Sequence, residues 1–150
     1  EIYTLSLHDA LPILAMLLGD LLTAIQEKLP IKVVVLNNAS LNFVELEQKV
    51  EGLLDNYTDL LNPDFARLAE VIGFHGRKVT RSEDLEAAVQ EFLAQPGPAL
   101  LDVHTNPAEL VMPPKIEFGQ VADTALYAAK AVLSGRFKDV ETLLVNNLLK

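Results

Sequence analysis

The amino-acid sequence predicts an α/β fold, in which a mostly parallel sheet is flanked by helices. Stripes of apolar residues at the spacing of three and four that a helix requires alternate along the chain with short apolar runs. The runs at residues 31–36 and 98–103 show no sustained alternation of apolar and polar residues, which is typical of strands covered on both faces. Such strands occur mainly in parallel sheets, and the connections between the elements are short.

The first predicted helix covers residues 14–28, and a buried strand follows it. Seven apolar residues form the stripe of this helix: Leu14, Leu17, Leu18, Leu21, Leu22, Ile25 and Leu29. Pro30 ends the helix, and the strand at residues 31–36 comes next. The segment 37–49 then leaves the carboxyl end of this strand, where open α/β sheets bind their ligands. It is therefore the first place to look for a functional site.

The middle of the chain predicts two more helices and two more strands. The helices cover residues 63–72 and the stretch before Pro96, and the strands cover residues 77–79 and 98–103. The residues that mark the helix ends are Asn62 as a cap, Pro63 at the first helical position, Gly73 as a left-handed stop, and Thr80 with Glu83 as a capping box. Helix and strand thus alternate, as an α/β fold requires.

The carboxyl-terminal part predicts two helices after a proline-rich interruption. Residues 121–134 form an alanine-rich helix that Gly135 stops, and residues 139–149 form a last helix. The apolar face of the last helix carries Val140, Leu143, Leu144 and Leu148. This face is expected either to dock on its own domain or a partner subunit, or to attach reversibly to a lipid surface.

Composition and charge exclude several functional classes. The 150 residues include 21 acidic and 12 basic residues, for a net charge of −9, so there is no basic surface for nucleic acid. The chain has no cysteine, which excludes disulfides, thiolate nucleophiles and sulfur-ligated metals. The three histidines do not stand at metal-ligand spacing, and there is no nucleophile elbow, dinucleotide-binding glycine motif or phosphate-binding lysine loop.

Asn37 and Asn38 are the remaining candidates, because they directly follow the first strand. Adjacent asparagines at a strand end commonly form turns in which the side chain bonds its own backbone. The alternative is that an amide oxygen ligates Mg²⁺, alongside a carboxylate, a backbone carbonyl and the oxygens of a diphosphate. The residues alone leave both interpretations open.

The chain resembles the carboxyl-terminal cofactor-binding domain of the thiamine diphosphate enzymes, and most closely pyruvate oxidases of the quinone-dependent pyruvate dehydrogenase type. Five stretches carry the resemblance, which extends over residues 14–150: LLGDLLTAIQEKLPIKVVVLNNASLNFVELEQK (17–49), NPDFARLAEVIG (62–73), PALLDV (98–103), PPKIEFGQ (113–120) and LYAAKAVLSGR (126–136). The resemblance implies a truncated thiamine diphosphate-binding fold.

The resemblance also implies which residues form the site. Asn38 matches the second asparagine of the family motif and would ligate Mg²⁺, together with the backbone carbonyl of Ser40. The cofactor-binding segment would comprise Asn38, Ala39, Ser40, Leu41, Asn42, Phe43 and Val44. Phe43 matches a phenylalanine that is implicated in passing electrons between thiamine and flavin, so it is the candidate catalytic residue; the alternative is a core residue under the loop.

Two positions depart from the family pattern. Where the family has Gly-Asp-Gly, with an aspartate that ligates Mg²⁺, this chain has Ala10, Leu11 and Pro12, so the metal site is incomplete as written. We expect residues 1–13 to be foreign to the domain or disordered, with a genuine coding sequence that starts near Ile13. Asn42 replaces the usual glycine, and asparagine is the residue that best tolerates the left-handed backbone expected there.

The implied activity is oxidative decarboxylation of pyruvate to acetate, with thiamine diphosphate, Mg²⁺ and FAD as cofactors and a quinone as electron acceptor. The domains that bind FAD and the aminopyrimidine have no match in this chain, so we expect a fragment that is inactive alone. Residues 14–110 would be a partial cofactor-binding domain and residues 111–150 its helical extension, within a homo-oligomer, expected to be a tetramer. The expected location is the cytoplasm or the inner face of the cell membrane.

Two alternatives remain open for the function. An acetolactate synthase shares the paired asparagines but joins the intermediate to a second keto acid. A degenerate, non-catalytic α/β interaction module would follow if Leu11 and Pro12 are genuine, because neither supplies a metal ligand.

Overall fold

The computed structural model of the chain describes residues 14–107 and 118–147. It confirms the α/β class, since helices flank a parallel sheet of three strands. The elements are α1 (Asp20–Gln26), β1 (Lys32–Asn37), α2 (Asn42–Val50), α3 (Phe65–Val71), β2 (His75–Val79), a 3₁₀ turn (Ser82–Asp84), α4 (Leu85–Ala94), β3 (Ala99–His104), α5 (Phe118–Leu133) and α6 (Phe137–Asn147). The predicted foreign segment, residues 1–13, lies outside the described residues.

The strand order is β1-β3-β2, and both pairings are parallel. In register, Val34 of β1 lies beside Leu101 of β3, and Leu101 lies beside Arg77 of β2. The predicted burial of the first strand on both sides is wrong for the described sheet, because β1 is an edge strand and Leu36 is 54% exposed. The covered strand is β3, in which Ala99, Leu100, Leu101 and Asp102 are all buried.

Helices cover the two faces of this sheet by different means. On one face α4 contributes Ala88 and Phe92 to a buried cluster with Val79, Ala99 and Leu101. On the other face α3 lies directly against β2. A Cβ atom at Gly76 would stand 2.1 Å from the carbonyl oxygen of Ala66, so only glycine allows this approach of helix and strand.

The first helix is shorter than predicted. The continuous helix predicted over residues 14–28 is wrong, because residues 14–16 are helical, residues 17–19 form a turn, and α1 begins only at Asp20. Before it the backbone makes tight bonds of the i to i−3 type, from Leu17 to Leu14 and from Asp20 to Leu17. Gly19 stands at this junction, and glycine has a low intrinsic preference for the helix. The apolar stripe therefore predicts that a helix is present but does not predict the residue at which it begins.

The caps of the two middle helices also differ from prediction. Asp64, rather than Asn62, caps α3, since its side chain accepts a hydrogen bond from the Arg67 amide at 3.0 Å. No side chain caps α4, which follows the 3₁₀ turn, so the predicted capping box at Thr80 is wrong. The left-handed stops are confirmed at Gly73 (φ +99°) and Gly135 (φ +82°).

The described chain divides into two compact units. The sheet unit comprises residues 14–39 and 61–105, and the helical unit comprises residues 40–60, 106–107 and 118–147. Within the helical unit α2 packs on α5, and α5 packs on α6. The Nζ atom of Lys49 lies 5.5 Å from the centre of the Tyr127 ring. No described helix has the length and apolar character needed to cross a bilayer.

Candidate functional site

The turn after β1 places the two adjacent asparagines in different environments. Asn37 is 3% exposed, whereas Asn38, the predicted metal ligand, is half-buried. The Oδ1 atom of Asn37 accepts a hydrogen bond from the Ala39 amide at 3.2 Å. Asn37 therefore has the turn-forming role that asparagine pairs commonly have. Ala39 adopts a left-handed backbone (φ +54°), a conformation that residues other than glycine rarely adopt.

Asn37 belongs to a buried polar network that we call the Asp102 network, made of Asp102, Asn37 and Asn62. The Nδ2 atom of Asn37 donates to Oδ1 of Asp102 at 3.1 Å, and Nδ2 of Asn62 donates to Oδ1 of Asn37 at 3.1 Å. Asp102 has no exposed surface, and its Oδ2 atom has no hydrogen-bond partner among the described residues. The Nε2 atom of His104 lies 3.6 Å from that oxygen.

Sequence reasoning missed the Asp102 network as a part of the site. One feature of the sequence could have indicated it, because Asp102 is the only charged residue in the apolar run 98–103. A carboxylate in a buried strand requires hydrogen bonds, since its burial without them costs considerable free energy. Asn62 was expected to cap a helix, and its actual partner, 25 positions away, could not be read from local spacing.

The following segment, residues 40–44, belongs to the helical unit and begins with two buried polar residues. Ser40 is buried, and its hydroxyl donates to Oε2 of Glu45 at 2.9 Å. Asn42 is also buried, begins α2, and donates from Nδ2 to the Pro107 carbonyl at 2.9 Å. The prediction of a left-handed backbone at Asn42 is wrong. The left-handed residue lies three positions earlier, at Ala39.

Leu41, Phe43 and Val44 are the apolar members of the predicted cofactor segment. The Leu41 amide donates to the Thr58 carbonyl at 2.7 Å, which anchors the start of α2. Phe43 is 43% exposed and Val44 is also exposed. The alternative interpretation of Phe43 as a core residue is therefore wrong. Its catalytic role stays a prediction.

The donors near this turn suit a hard cation in kind. The Asn38 amide oxygen is a neutral oxygen ligand that Mg²⁺ accepts when phosphate oxygens and water complete its shell. Among the described residues no group of three or more histidine, aspartate or glutamate side chains could hold a metal by itself. Leu11, at the position of the family's aspartate, lies outside the described residues. The described part of this turn thus offers neutral oxygen atoms, such as the Asn38 amide oxygen, rather than a cluster of charged ligands.

The helical unit contains a separate ionic cluster around Arg136. Its Nη2 atom lies 2.9 Å from both carboxylate oxygens of Asp55, and its Nε atom donates to Asp139 at 2.6 Å. Burial raises the pKa of Asp55, but the hydrogen bond from Arg136 and the charge of Lys49 outweigh burial and hold that pKa below its usual value. This cluster ties the loop after α2 to the start of α6.

The hydroxyl of Tyr127 is buried in the same unit. It has no hydrogen-bond partner among the described residues, and burial, followed by the charge of Asp55, raises its pKa. A cavity of about 450 Å³ also opens in this unit and is lined by Gln48, Leu53, Leu54, Asn56 and Lys130. None of the predicted site residues lines it.

Comparison with known proteins gives consistent results. Residues 13–103 match the family model described as the thiamine pyrophosphate enzyme, C-terminal TPP-binding domain. A putative thiamine pyrophosphate-containing protein of Bacillus subtilis is 42% identical over 116 residues, which are 77% of this chain and 20% of that protein.

Two acetolactate synthases are also similar. The mitochondrial catalytic subunit from Saccharomyces cerevisiae is 36% identical over 65% of this chain and 14% of its own length. The large subunit of isozyme 2 from Escherichia coli is 36% identical over 63% of this chain and 18% of its own length. The chain therefore spans a fifth or less of the length of these relatives.

Proposed function

Because the chain belongs to the thiamine pyrophosphate enzymes and matches their carboxyl-terminal TPP-binding domain, we propose that the whole protein oxidatively decarboxylates pyruvate to acetate and passes the electrons through FAD to a quinone. One observation supports the oxidase: the resemblance continues into the stretches 113–120 and 126–136.

The observation that carries the cofactor assignment is the position of Asn38 just past the carboxyl end of a parallel strand, inside the turn that the hydrogen bond from the Ala39 amide to Asn37 closes. Ligands of α/β sheets bind at this end of the strands. Asn38 would ligate Mg²⁺, and the carbonyl of Ser40 would be a second ligand. Bound thiamine diphosphate supplies the electron sink for decarboxylation.

The remaining residues of the segment would orient the cofactor and limit access of water. Phe43 and Val44 present exposed apolar side chains that suit contact with an aromatic ring. Ser40 and Asn42 are fixed by Glu45 and Pro107, so the start of α2 offers a rigid support. A rigid support favours catalysis because it holds reacting groups in position before substrate arrives.

The second candidate is an acetolactate synthase, which the relatives from yeast and Escherichia coli favour. The two activities can be distinguished in the full-length protein, given pyruvate and a soluble quinone analogue. Acetate with reduction of the quinone would support the oxidase. Acetolactate without reduction of the quinone would contradict it and support the synthase. No turnover and no binding of thiamine diphosphate would instead indicate the degenerate module.

Binding tests the cofactor assignment directly. In the full-length protein, Asn38→Ala should weaken Mg²⁺-dependent binding of thiamine diphosphate by about tenfold or more, since loss of a metal-site partner commonly has that effect. Asn56→Ala is the matched control, because Asn56 is an exposed asparagine whose side chain bonds the backbone of Leu54. Calorimetric titration measures both. Equal affinity in the wild type and Asn38→Ala would rule out Asn38 as the ligand.

We also propose that α6 contributes to assembly or to membrane attachment. Phe137, Leu144 and Val145 are exposed on this helix, which suits either a partner subunit of a homo-tetramer or a lipid surface. The corresponding location is the cytoplasm or the inner face of the cell membrane. Light scattering with and without anionic vesicles would separate the two roles.

A further inference from the structure

We infer that Asp102 is a positioning residue: acting through Asn37, its carboxylate holds the turn that presents Asn38. The inference rests on the proposed function only for the role of Asn38 itself. The geometry that supports it lies entirely within the sheet unit, where Asp102 is fully buried in the central strand and Asn37 is buried at the end of β1.

The side-chain amide of Asn37 has a donor end and an acceptor end, and its neighbours select how it is oriented. The Oδ1 atom of Asp102 accepts the hydrogen bond, so it faces the donor end of the Asn37 amide. With Nδ2 directed to Asp102, Oδ1 of Asn37 is directed to the turn, where it accepts from the Ala39 amide and from Asn62. Asp102, the Ala39 amide and Asn62 thus all favour the same orientation of the Asn37 amide, and Asp102 supplies the acceptor that the NH₂ group of Asn37 requires.

The turn after β1 is strained at Ala39. Ala39 adopts a left-handed backbone, and a residue with a Cβ atom persists there only where surrounding contacts offset the cost. The hydrogen bond from its amide to Asn37 is such a contact. If Asn37 turned its NH₂ group toward Ala39, two donors would face each other. The turn would then lose this bond, and Asn38, between Asn37 and Ala39, would lose its fixed orientation.

The alternative is that Asp102 only fills polar space in the core. A polar core residue would affect the stability of the whole sheet unit and would have no specific effect on Ala39. Exchanging the two side chains separates these roles. In Asp102→Asn/Asn37→Asp, the new amide at position 102 donates to one carboxylate oxygen at position 37, and the other carboxylate oxygen still accepts from Ala39 and Asn62.

The test is amide hydrogen exchange of the full-length protein, measured at Ala39 with Leu100 of β3 as the internal reference. Asp102→Leu removes the acceptor of the Asn37 amide and should accelerate exchange at Ala39 by tenfold or more relative to Leu100, whereas the double exchange should keep it within about threefold of the wild type. Asn37→Asp alone sets two carboxylates against each other and should also accelerate exchange. His104→Gln is the matched control, since His104 approaches the other oxygen of Asp102 and should leave Ala39 unchanged.

Two results would overturn the inference. One is equal acceleration at Ala39 and Leu100 in Asp102→Leu, and the other is exchange at Ala39 in the double exchange that is as fast as in Asn37→Asp alone. If Asp102→Leu does not fold, the comparison of Asn37→Asp with the double exchange decides, because both carry a carboxylate at position 37.

Binding of thiamine diphosphate with Mg²⁺ distinguishes failure of this inference from failure of the proposed function. Affinity should fall in Asp102→Leu and in Asn37→Asp and recover in the double exchange. If Asn38→Ala weakens binding but Asp102→Leu does not, only the positioning role fails. If Asn38→Ala has no effect while the exchange pattern at Ala39 is as expected, the proposed cofactor role fails and the control of the turn by Asp102 stands.

Discussion

The sheet unit and the helical unit hold their polar groups together in different ways. In the sheet unit the Asp102 network joins one carboxylate to two amides through directional hydrogen bonds. In the helical unit Arg136 joins two carboxylates through ion pairs. Hydrogen bonds made by side-chain amides are directional and specify geometry. Ion pairs make the free energy of unfolding depend on pH and salt. The contrast suggests that the sheet unit fixes the turn that carries Asn38 and that the stability of the helical unit is the more sensitive to pH and salt.

Apolar burial is also concentrated in the sheet unit. Among the side chains that the structure describes, the large ones with almost no exposed surface are Phe65, Leu100 and Leu101 in the sheet unit and Tyr127 in the helical unit. Burial of such side chains supplies most of the free energy that favours folding. The sheet unit should therefore respond most strongly to loss of core volume, and the helical unit most strongly to loss of charge.

The largest effect is expected from Phe65→Ala in the sheet unit. Phe65 has no exposed surface, and truncation of a buried phenylalanine lowers the free energy of unfolding by about 3–5 kcal/mol. Leu61→Ala is the matched control, because Leu61 is fully exposed in the same unit and should change the stability by less than about 0.5 kcal/mol. Urea titration measures both. Similar midpoints for the two variants would contradict the assignment of the core to this unit.

A smaller and pH-dependent effect is expected from Asp55→Asn in the helical unit. Loss of charge-assisted bonds to a partly exposed arginine should cost about 1–2 kcal/mol at pH 7. The pKa of Asp55 is lower in the folded state than its usual value of 3.8. Its contribution is therefore fully present above about pH 4 and is lost as the pH falls through the folded pKa.

Thermal unfolding between pH 7 and pH 3 tests this expectation. The melting temperatures of the wild type and Asp55→Asn should converge at the acid end, because protonation removes the same charge from the wild type. Arg81→Gln is the control, since the ion pair of Arg81 with Asp84 is exposed and should make no measurable contribution. A constant difference across this range would show that the Asp55 charge does not stabilise the helical unit.

The same contrast explains how much of the molecule could be predicted from its sequence. The apolar runs that became β1 and β3 predicted the α/β class and the parallel sheet, because burial leaves a direct record in composition. The apolar composition of a strand does not show where the strand lies in the sheet. The sequence therefore did not predict that β1 is an edge strand or that Leu36 is exposed. Strand order depends on contacts between distant segments, which local periodicity does not report.

The candidate site shows a similar limit. Asn38 was selected by the resemblance, but the role of Asn37 depends on Asp102, which lies 65 positions away along the chain. Asn62 was expected to cap a helix by its local sequence, and a partner 25 positions away overrode that preference. Local sequence patterns thus predicted helices and strands better than they predicted which polar side chains form hydrogen bonds with each other.

The smallest effect is expected at the cap of α3, where the sheet unit does use a charge. Asp64→Ala removes the acceptor of the Arg67 amide and should lower the stability by about 1 kcal/mol. Asp64→Asn should retain most of that contribution, since asparagine also caps helices.

The Arg67 amide, with a smaller contribution from Lys78, holds the pKa of Asp64 below its usual value. The loss of stability in Asp64→Ala should therefore become smaller as the pH falls through that pKa. Urea titration at pH 7 and pH 3 measures these differences. An asparagine variant as unstable as the alanine variant would mean that charge, rather than hydrogen-bond geometry, stabilises this helix end, and the contrast between the two units would then weaken.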